Sequence, residues 1–248
     1  MKNKYFGVKA NKLIKPFIAF YFFIGFVEIV AELFKDYFFI TASKPLLMPI
    51  LIAIYCICSK TRNLVFIVAL GAAWIANTVL VFNSVCYTYD TFFFLIYRIL
   101  IIYLVLKSVK FPGYIPMIIG GLPFLFIYLF VANLSYNELG YRFFMFVIQG
   151  LFIVFFGSLC LGNYIIKSNT ANTYLLISTM LFAVIQFVMV IKMYYENYNI
   201  FRPLAMLLYV FAQYLLYLFV IMEEKKKKRY RINTALNQKF KVNLQDGK

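Results

Sequence analysis

Histidine is absent from this chain of 248 residues, and acids are scarce, with nine Asp and Glu against 25 Lys and Arg. Without histidine there is no Ser-His-Asp or Cys-His triad, and the commonest metal ligand is missing. The four cysteines, Cys56, Cys58, Cys86 and Cys160, do not replace it. Cys56 and Cys58 stand two apart, so on a helix they do not face each other, and no second pair completes a zinc set. They read as buried thiols, and neither a metal nor a cofactor is expected. Charged residues make up only 14% of the chain, well below the roughly one quarter of a soluble domain. The net charge of +16 does not point to nucleic acid either, because the cations sit at the chain ends and in short loops. That distribution suits anionic lipid headgroups.

What the chain does have is apolar length: 64% of it is hydrophobic and 21% aromatic. A bilayer core of about 30 Å takes roughly 20 helical residues. Apolar stretches of about that length occupy residues 16–34, 41–59, 63–82, 91–106, 115–132, 141–161, 174–193 and 203–222. The prediction is an all-α polytopic membrane protein with eight transmembrane helices in one bundle. Its parts are a basic arm over residues 1–16, the membrane domain over 17–222 and a basic tail over 223–248. The first stretch follows five lysines, as a signal peptide would, but it lacks a small-x-small cleavage site and contains Glu28 and Glu32. It reads as a retained span. The fifth stretch is rich in breakers (Pro112, Gly113, Pro116, Gly120, Gly121 and Pro123), which predicts a kinked or partly unwound helix. In the sixth, Gly150 and Gly157 share a face where a neighbour can pack closely.

Charge sets the expected orientation. The five N-terminal lysines, the Lys60/Arg62 and Lys107/Lys110 loops, Lys167 and the tail fall on one side. With Lys44 as the exception, the bias puts both termini in the cytoplasm, and the expected location is a bacterial cytoplasmic membrane. Tyr87, Tyr89, Tyr136, Tyr141, Tyr194, Tyr195 and Tyr198 would form an aromatic belt on the outer side. The run Lys225 to Arg229, with Arg231, reads as a topology determinant resting on anionic lipid.

A few polar side chains interrupt the apolar runs: Glu28, Glu32, Lys44, Asn77, Arg98, Gln149, Gln186 and Gln213. A charge at mid-membrane costs about 2.5–3.5 kcal/mol on insertion scales, so ionisable groups there are functional candidates by default. Glu28 and Glu32, four apart, lie on one helical face and repel. They need a cation nearby, Arg98 or Lys44. Lone buried amides more often tie helices together than act, and Lys44 has the alternative of snorkelling to the headgroups.

Two motifs carry a resemblance. Lys44-Pro-Leu-Leu-Met-Pro49 precedes a helix with a small-plus-polar pair, Ala76-Asn77, and Tyr209-Val-Phe-Ala-Gln213 fits a Tyr-x-x-Ala-Gln signature. Over roughly residues 40–222 the chain resembles the YhhN family of lysoplasmalogenase-like membrane proteins. The resemblance implies hydrolysis of the vinyl-ether bond of lysoplasmalogens, releasing a fatty aldehyde and a glycerophospho-base. It also implies two acids, a Gly-Asp in the third span and a Ser-Asp in the seventh. Here those positions align with Ala76-Asn77 and Ile185-Gln186, so both acids are amides, which keep the hydrogen-bonding shape but donate no catalytic proton near neutral pH. The family's fourth-span histidine has no counterpart. Lys44, Pro45, Pro49, Tyr209 and Gln213 match. The expected ligand is a lysophospholipid-type or ether-lipid amphiphile, met by Lys44, Arg98, Gln149, Tyr209 and Gln213 in a pocket opening in the outer half. Three alternatives stay open: hydrolysis with Glu28 or Glu32 as the substitute acid, a catalytically inactive lipid-binding paralogue, and a small-solute transporter.

Overall fold

The computed structural model describes residues 14–82, 87–109, 111–139, 143–194 and 199–246. The regular structure among them is helical throughout: α1 (Ile14–Phe34), α2 (Tyr37–Cys58), α3 (Leu64–Phe82), α4 (Tyr87–Ser108), α5 (Tyr114–Leu139), α6 (Phe143–Ile166), α7 (Thr170–Tyr194) and α8 (Phe201–Asp246). Each contains a stretch long and apolar enough to cross a membrane. The chain is therefore a multi-pass membrane protein, with its eight helices in one bundle. Cys86, Lys110, Arg142, residues 1–13 of the basic arm, and Tyr141, Tyr195 and Tyr198 of the expected belt lie outside the described residues.

Side-chain caps set several helix starts. Asn63 accepts from the amide of Val65 (3.1 Å) before α3, and Asn169 from that of Asn172 (2.9 Å) at the head of α7. Asp36 caps α2, its Oδ1 accepting from Phe38 N at 3.1 Å and Phe39 N at 3.4 Å, directly after Lys35 turns the chain with φ +56°. This cap starts α2 four residues earlier than the apolar run suggests. Lys44 consequently lies two turns inside the helix rather than at its head, and Pro45 and Pro49 are interior prolines. Each removes an amide that would bond the carbonyl four residues back.

Of the two outcomes expected for the fifth helix, a kink or partial unwinding, the second does not occur. α5 is unbroken from Tyr114 to Leu139, with Pro123 inside it. Its glycines serve close packing on α6 instead of unwinding. A Cβ on Gly120 would come 2.9 Å from the backbone nitrogen of Gly162, and one on Gly157 would come 2.5 Å from the ring of Phe124. Gly150 abuts the Tyr128 ring in the same interface, so the predicted face of α6 is the one against which α5 rests.

Helices adjacent in sequence pack side by side except α4 and α5, and α1 closes onto α8. The result is a ring of α1, α2, α3, α4, α6, α7 and α8, with α5 outside on α6 and α7. The ring is closed only lightly between α4 and α6, and neither α3 nor α4 approaches α8 closely along its length. Side chains fill that interior: Tyr21, Leu47, Met48, Tyr55, Phe66 and Phe219 are fully buried. The outward face carries exposed Phe, Leu and Ile, such as Phe26, Ile118 and Phe126, which suits contact with lipid. α8 has 46 residues, a length of roughly 69 Å. It contains no glycine, its single proline is Pro203 in the first turn, and it runs straight on into the basic tail. Where it leaves the apolar layer, Glu224 accepts from the hydroxyls of Tyr55 and Ser59 (2.6 Å for Ser59), which ties α8 to the α2–α3 hinge.

Candidate functional site

The polar side chains gather in three clusters inside the ring. The first joins α1, α2 and α8. Tyr21, Gly25, Glu28 and Glu32 recur at helical spacing on the buried face of α1. Gly25 lets Val210 approach, with a Cβ there coming 3.0 Å from its methyls, and Tyr21 donates to the Val210 carbonyl at 3.0 Å. Glu28 and Glu32 therefore point inward, and both are buried. Lys44 Nζ lies 2.7 Å from Glu32 Oε1 and 3.6 Å from Glu28 Oε1. Ser43 Oγ contacts Glu28 Oε2. Half-exposed Arg202, at the head of α8, stands 3.9 Å from Glu32 Oε2. The cation that the two acids require is thus Lys44 and not Arg98, because α1 packs on α2 and α8 while Arg98 sits across the ring on α4.

The second cluster crosses the ring to α8. Asn77 Nδ2 donates to Tyr209 Oη at 2.9 Å, and that hydroxyl lies 3.9 Å from Met48 Sδ. Met48 is one turn beyond Lys44, so the two recognised motifs meet at Tyr209. Tyr97 Oη donates to Gln213 Oε1 at 2.9 Å. Gln213 is fully buried, and its Nε2 has no acceptor among the described residues.

The third cluster lies behind the light α4–α6 seam. Arg98 donates from Nη1 to the Gln149 carbonyl at 3.1 Å and from Nη2 to Gln186 Oε1 at 3.3 Å. Gln149 returns a bond from Nε2 to the Thr91 carbonyl at 3.0 Å, stitching the seam from the other side. A cavity of about 30 Å³ adjoins Arg98, walled mainly by Tyr97, Phe152, Phe156, Thr179 and Phe182. That volume holds about two waters. No carboxylate among the described residues pairs with Arg98.

Tyr97 and Arg98 are consecutive on α4, so the second and third clusters adjoin. Asn77 and Gln186, where the family resemblance expects acids, belong to these two clusters, as do Gln149, Tyr209 and Gln213. Lys44 belongs to the first. Sequence reasoning did not single out Tyr21, Ser43, Met48 or Tyr97. Ser43 and Tyr97 each stand beside a residue that was singled out, Lys44 and Arg98, and that adjacency was the available signal.

The ring of spans and its inward polar side chains define a polytopic helical membrane protein organised around a buried polar core. The model of the YhhN family matches residues 39–220, and the chain belongs to that family. The match takes in Lys44, Asn77, Arg98, Gln149, Gln186, Tyr209 and Gln213, while α1, with Glu28 and Glu32, precedes it. No curated protein and no solved structure matches the chain.

Proposed function

We propose that this YhhN member binds a lysophospholipid or ether-lipid amphiphile within the membrane, its phosphate meeting Arg98. The observation that carries the reading is the pairing of Arg98: a guanidinium inside a span, bonded among the described residues to a carbonyl and an amide oxygen and to no carboxylate. Such a cation costs about 2.5–3.5 kcal/mol to bury, and neutral acceptors offset little of that. An anionic oxygen would offset more, and a guanidinium presents five N–H groups in a fork suited to phosphate. Gln213 Nε2 is a second donor that lacks an acceptor. The aromatic and aliphatic lining of the adjoining cavity matches a hydrocarbon chain in character, though at about 30 Å³ it must widen to admit one, and access would run between α4 and α6, where the ring is closed least tightly. In this reading the pocket opens in the outer half, and both termini face the cytoplasm of a bacterial cell.

A second reading, vinyl-ether hydrolysis, is favoured by one observation. Protonating an enol-ether carbon needs an acid; positions 77 and 186 hold amides, whereas Glu28 provides a carboxyl buried inside the ring. The solute-transporter reading drew on a broken fifth span and on buried charges; α5 is continuous, which leaves the buried charges as its remaining support.

Mass spectrometry of lipids carried through purification tests the binding reading. Wild-type protein should retain a lysophospholipid. Arg98→Gln, purified as a folded and monodisperse protein, should retain it about 10- to 150-fold less tightly, as expected for a charge-assisted bond worth about 1.5–3 kcal/mol. Equal retention by the variant, or co-purification of a small polar solute instead, refutes it.

A further inference from the structure

The acids of α1 stand outside the family-matched stretch yet meet its Lys44, and the hydrogen bonds around them specify where one proton resides. Ser43 Oγ lies 2.6 Å from the Phe39 carbonyl and also contacts Glu28 Oε2. A hydroxyl has a single proton to donate. The Phe39 carbonyl is an acceptor only, so that proton is committed to the bond one turn back. Thr41 makes the same kind of bond to the Tyr37 carbonyl at 2.7 Å. The contact between Ser43 Oγ and Glu28 Oε2 then needs its proton from the carboxyl.

The rest of the cluster agrees. Glu28 is 0% exposed. Its other oxygen, Oε1, has no hydrogen-bond donor, since Lys44 Nζ stays 3.6 Å away and directs its bond to Glu32 Oε1 at 2.7 Å. An ionised carboxylate with one bare oxygen in so dry a place is heavily penalised, whereas a neutral acid leaves only a carbonyl oxygen bare. The charged groups facing Glu28 are Lys44 on α2, Glu32 on its own helix and, beyond Glu32, Arg202 on α8. Arg202 is half exposed and outside hydrogen-bond distance, so solvent and headgroups share its charge. One lysine with two ionised acids would leave an excess negative charge inside the ring. One proton removes it.

We propose that Glu28 is a proton-binding site: its carboxyl is neutral in the resting protein and donates to Ser43, while Glu32 carries the negative charge opposite Lys44. The site thus stores a carboxylic acid on a helix that precedes the matched family stretch, in a bundle whose family positions 77 and 186 hold amides. This assignment concerns the resting protein and does not rest on the amphiphile reading.

Infrared spectroscopy of the full-length protein in nanodiscs at neutral pH tests it, through the C=O stretch of a protonated carboxyl and its shift in D₂O. Wild-type protein should show the band. Glu28→Gln should lose it, Glu32→Gln should weaken it because Glu28 is then the one carboxylate left to Lys44, and Ser43→Ala should move it to higher frequency by removing the acceptor of the acid's hydrogen bond. Thermal unfolding gives an independent readout. Glu28→Gln retains a donor for Ser43 and should melt near wild type, whereas Glu28→Ala removes that donor and leaves a void, and should melt clearly lower. Absence of the band from wild type, its survival in Glu28→Gln, or a Glu28→Gln variant that melts as low as Glu28→Ala would overturn the assignment. If neither glutamine variant folds, the wild-type and Ser43→Ala spectra decide it alone.

Discussion

Gln186→Glu should make the protein more stable and at the same time empty it of lipid. The substitution preserves the shape of the side chain, and its Oε1 already lies 3.3 Å from Arg98 Nη2. A carboxylate there converts a bond between a cation and an amide into an ion pair. Bonds to charged partners are worth about 1.5–3 kcal/mol against about 0.5–1.5 for neutral ones. The bond to Gln186 is already assisted by the guanidinium's charge, and the new carboxylate brings a desolvation cost of its own, so the net gain should be about 0.5–1 kcal/mol. For a chain of this size that raises the melting temperature by roughly 1–4 °C. The same carboxylate occupies the fork that the phosphate would use, so retention of a lysophospholipid should fall as far as it does in Arg98→Gln. The two measurements run on one preparation: thermal unfolding in detergent, and quantitation of lipid carried through purification. Opposite signs are expected, stability up and lipid down. A fall in stability would mean that Arg98 already has a compensating anion, and undiminished lipid would mean that the phosphate does not meet Arg98.

Three further outcomes are expected. Gly150→Ala drives a methyl into the Tyr128 ring and should destabilise the α5–α6 pair by about 1–3 kcal/mol, whereas Gly71→Ala, which meets nothing within 4 Å, should be neutral or gain up to about 1 kcal/mol in thermal unfolding. Purified protein should release little or no aldehyde from a lysoplasmalogen, and whatever it does release should vanish in Glu28→Gln; release that persists in both Glu28→Gln and Glu32→Gln would leave the chain without a proton donor. Reporter fusions after Tyr89, Asn137 and Tyr198 should face outward and those after Arg62, Ser168 and Lys228 inward, and a cytoplasmic signal at Asn137 would contradict the orientation drawn from charge.

The spans were legible because each is a long apolar run, and length alone decides whether a helix crosses a bilayer. Glu28 and Glu32 were legible as inward-facing because lipid tolerates neither. Their partner was not, since helical spacing says which residues share a face but not which helix that face meets. Lys44 and Arg98 were equal candidates until the packing of α1 on α2 decided between them. The start of α2 was misjudged because Asp36 caps it through a local hydrogen bond that hydropathy does not register. Partial unwinding of α5 did not follow because glycine serves two ends, flexibility and close approach, and only the backbone of Gly162 against Gly120 shows which applies. Tyr97 is one of 21 tyrosines; its place beside Arg98 marks it, but that adjacency does not foretell that its bond runs to Gln213 across the ring.

α8 receives bonds from most of the bundle, and it is the last of the eight helices to be synthesised. Tyr21 on α1, Tyr55 on α2, Asn77 on α3, Tyr97 on α4 and Ser178 on α7 all direct a hydrogen bond to it. A chain grows from its N-terminus at about 5–20 residues per second, so for several seconds the earlier helices occupy the membrane with these groups unmatched. A nascent bundle in that state is sticky towards any polar surface at the same depth, and it remains so until the final helix arrives. Ribosomal stalling or truncation ahead of Phe201 therefore yields a membrane species in which Tyr21, Asn77, Tyr97 and Ser178 lack their α8 partners, a ready target for quality-control proteases.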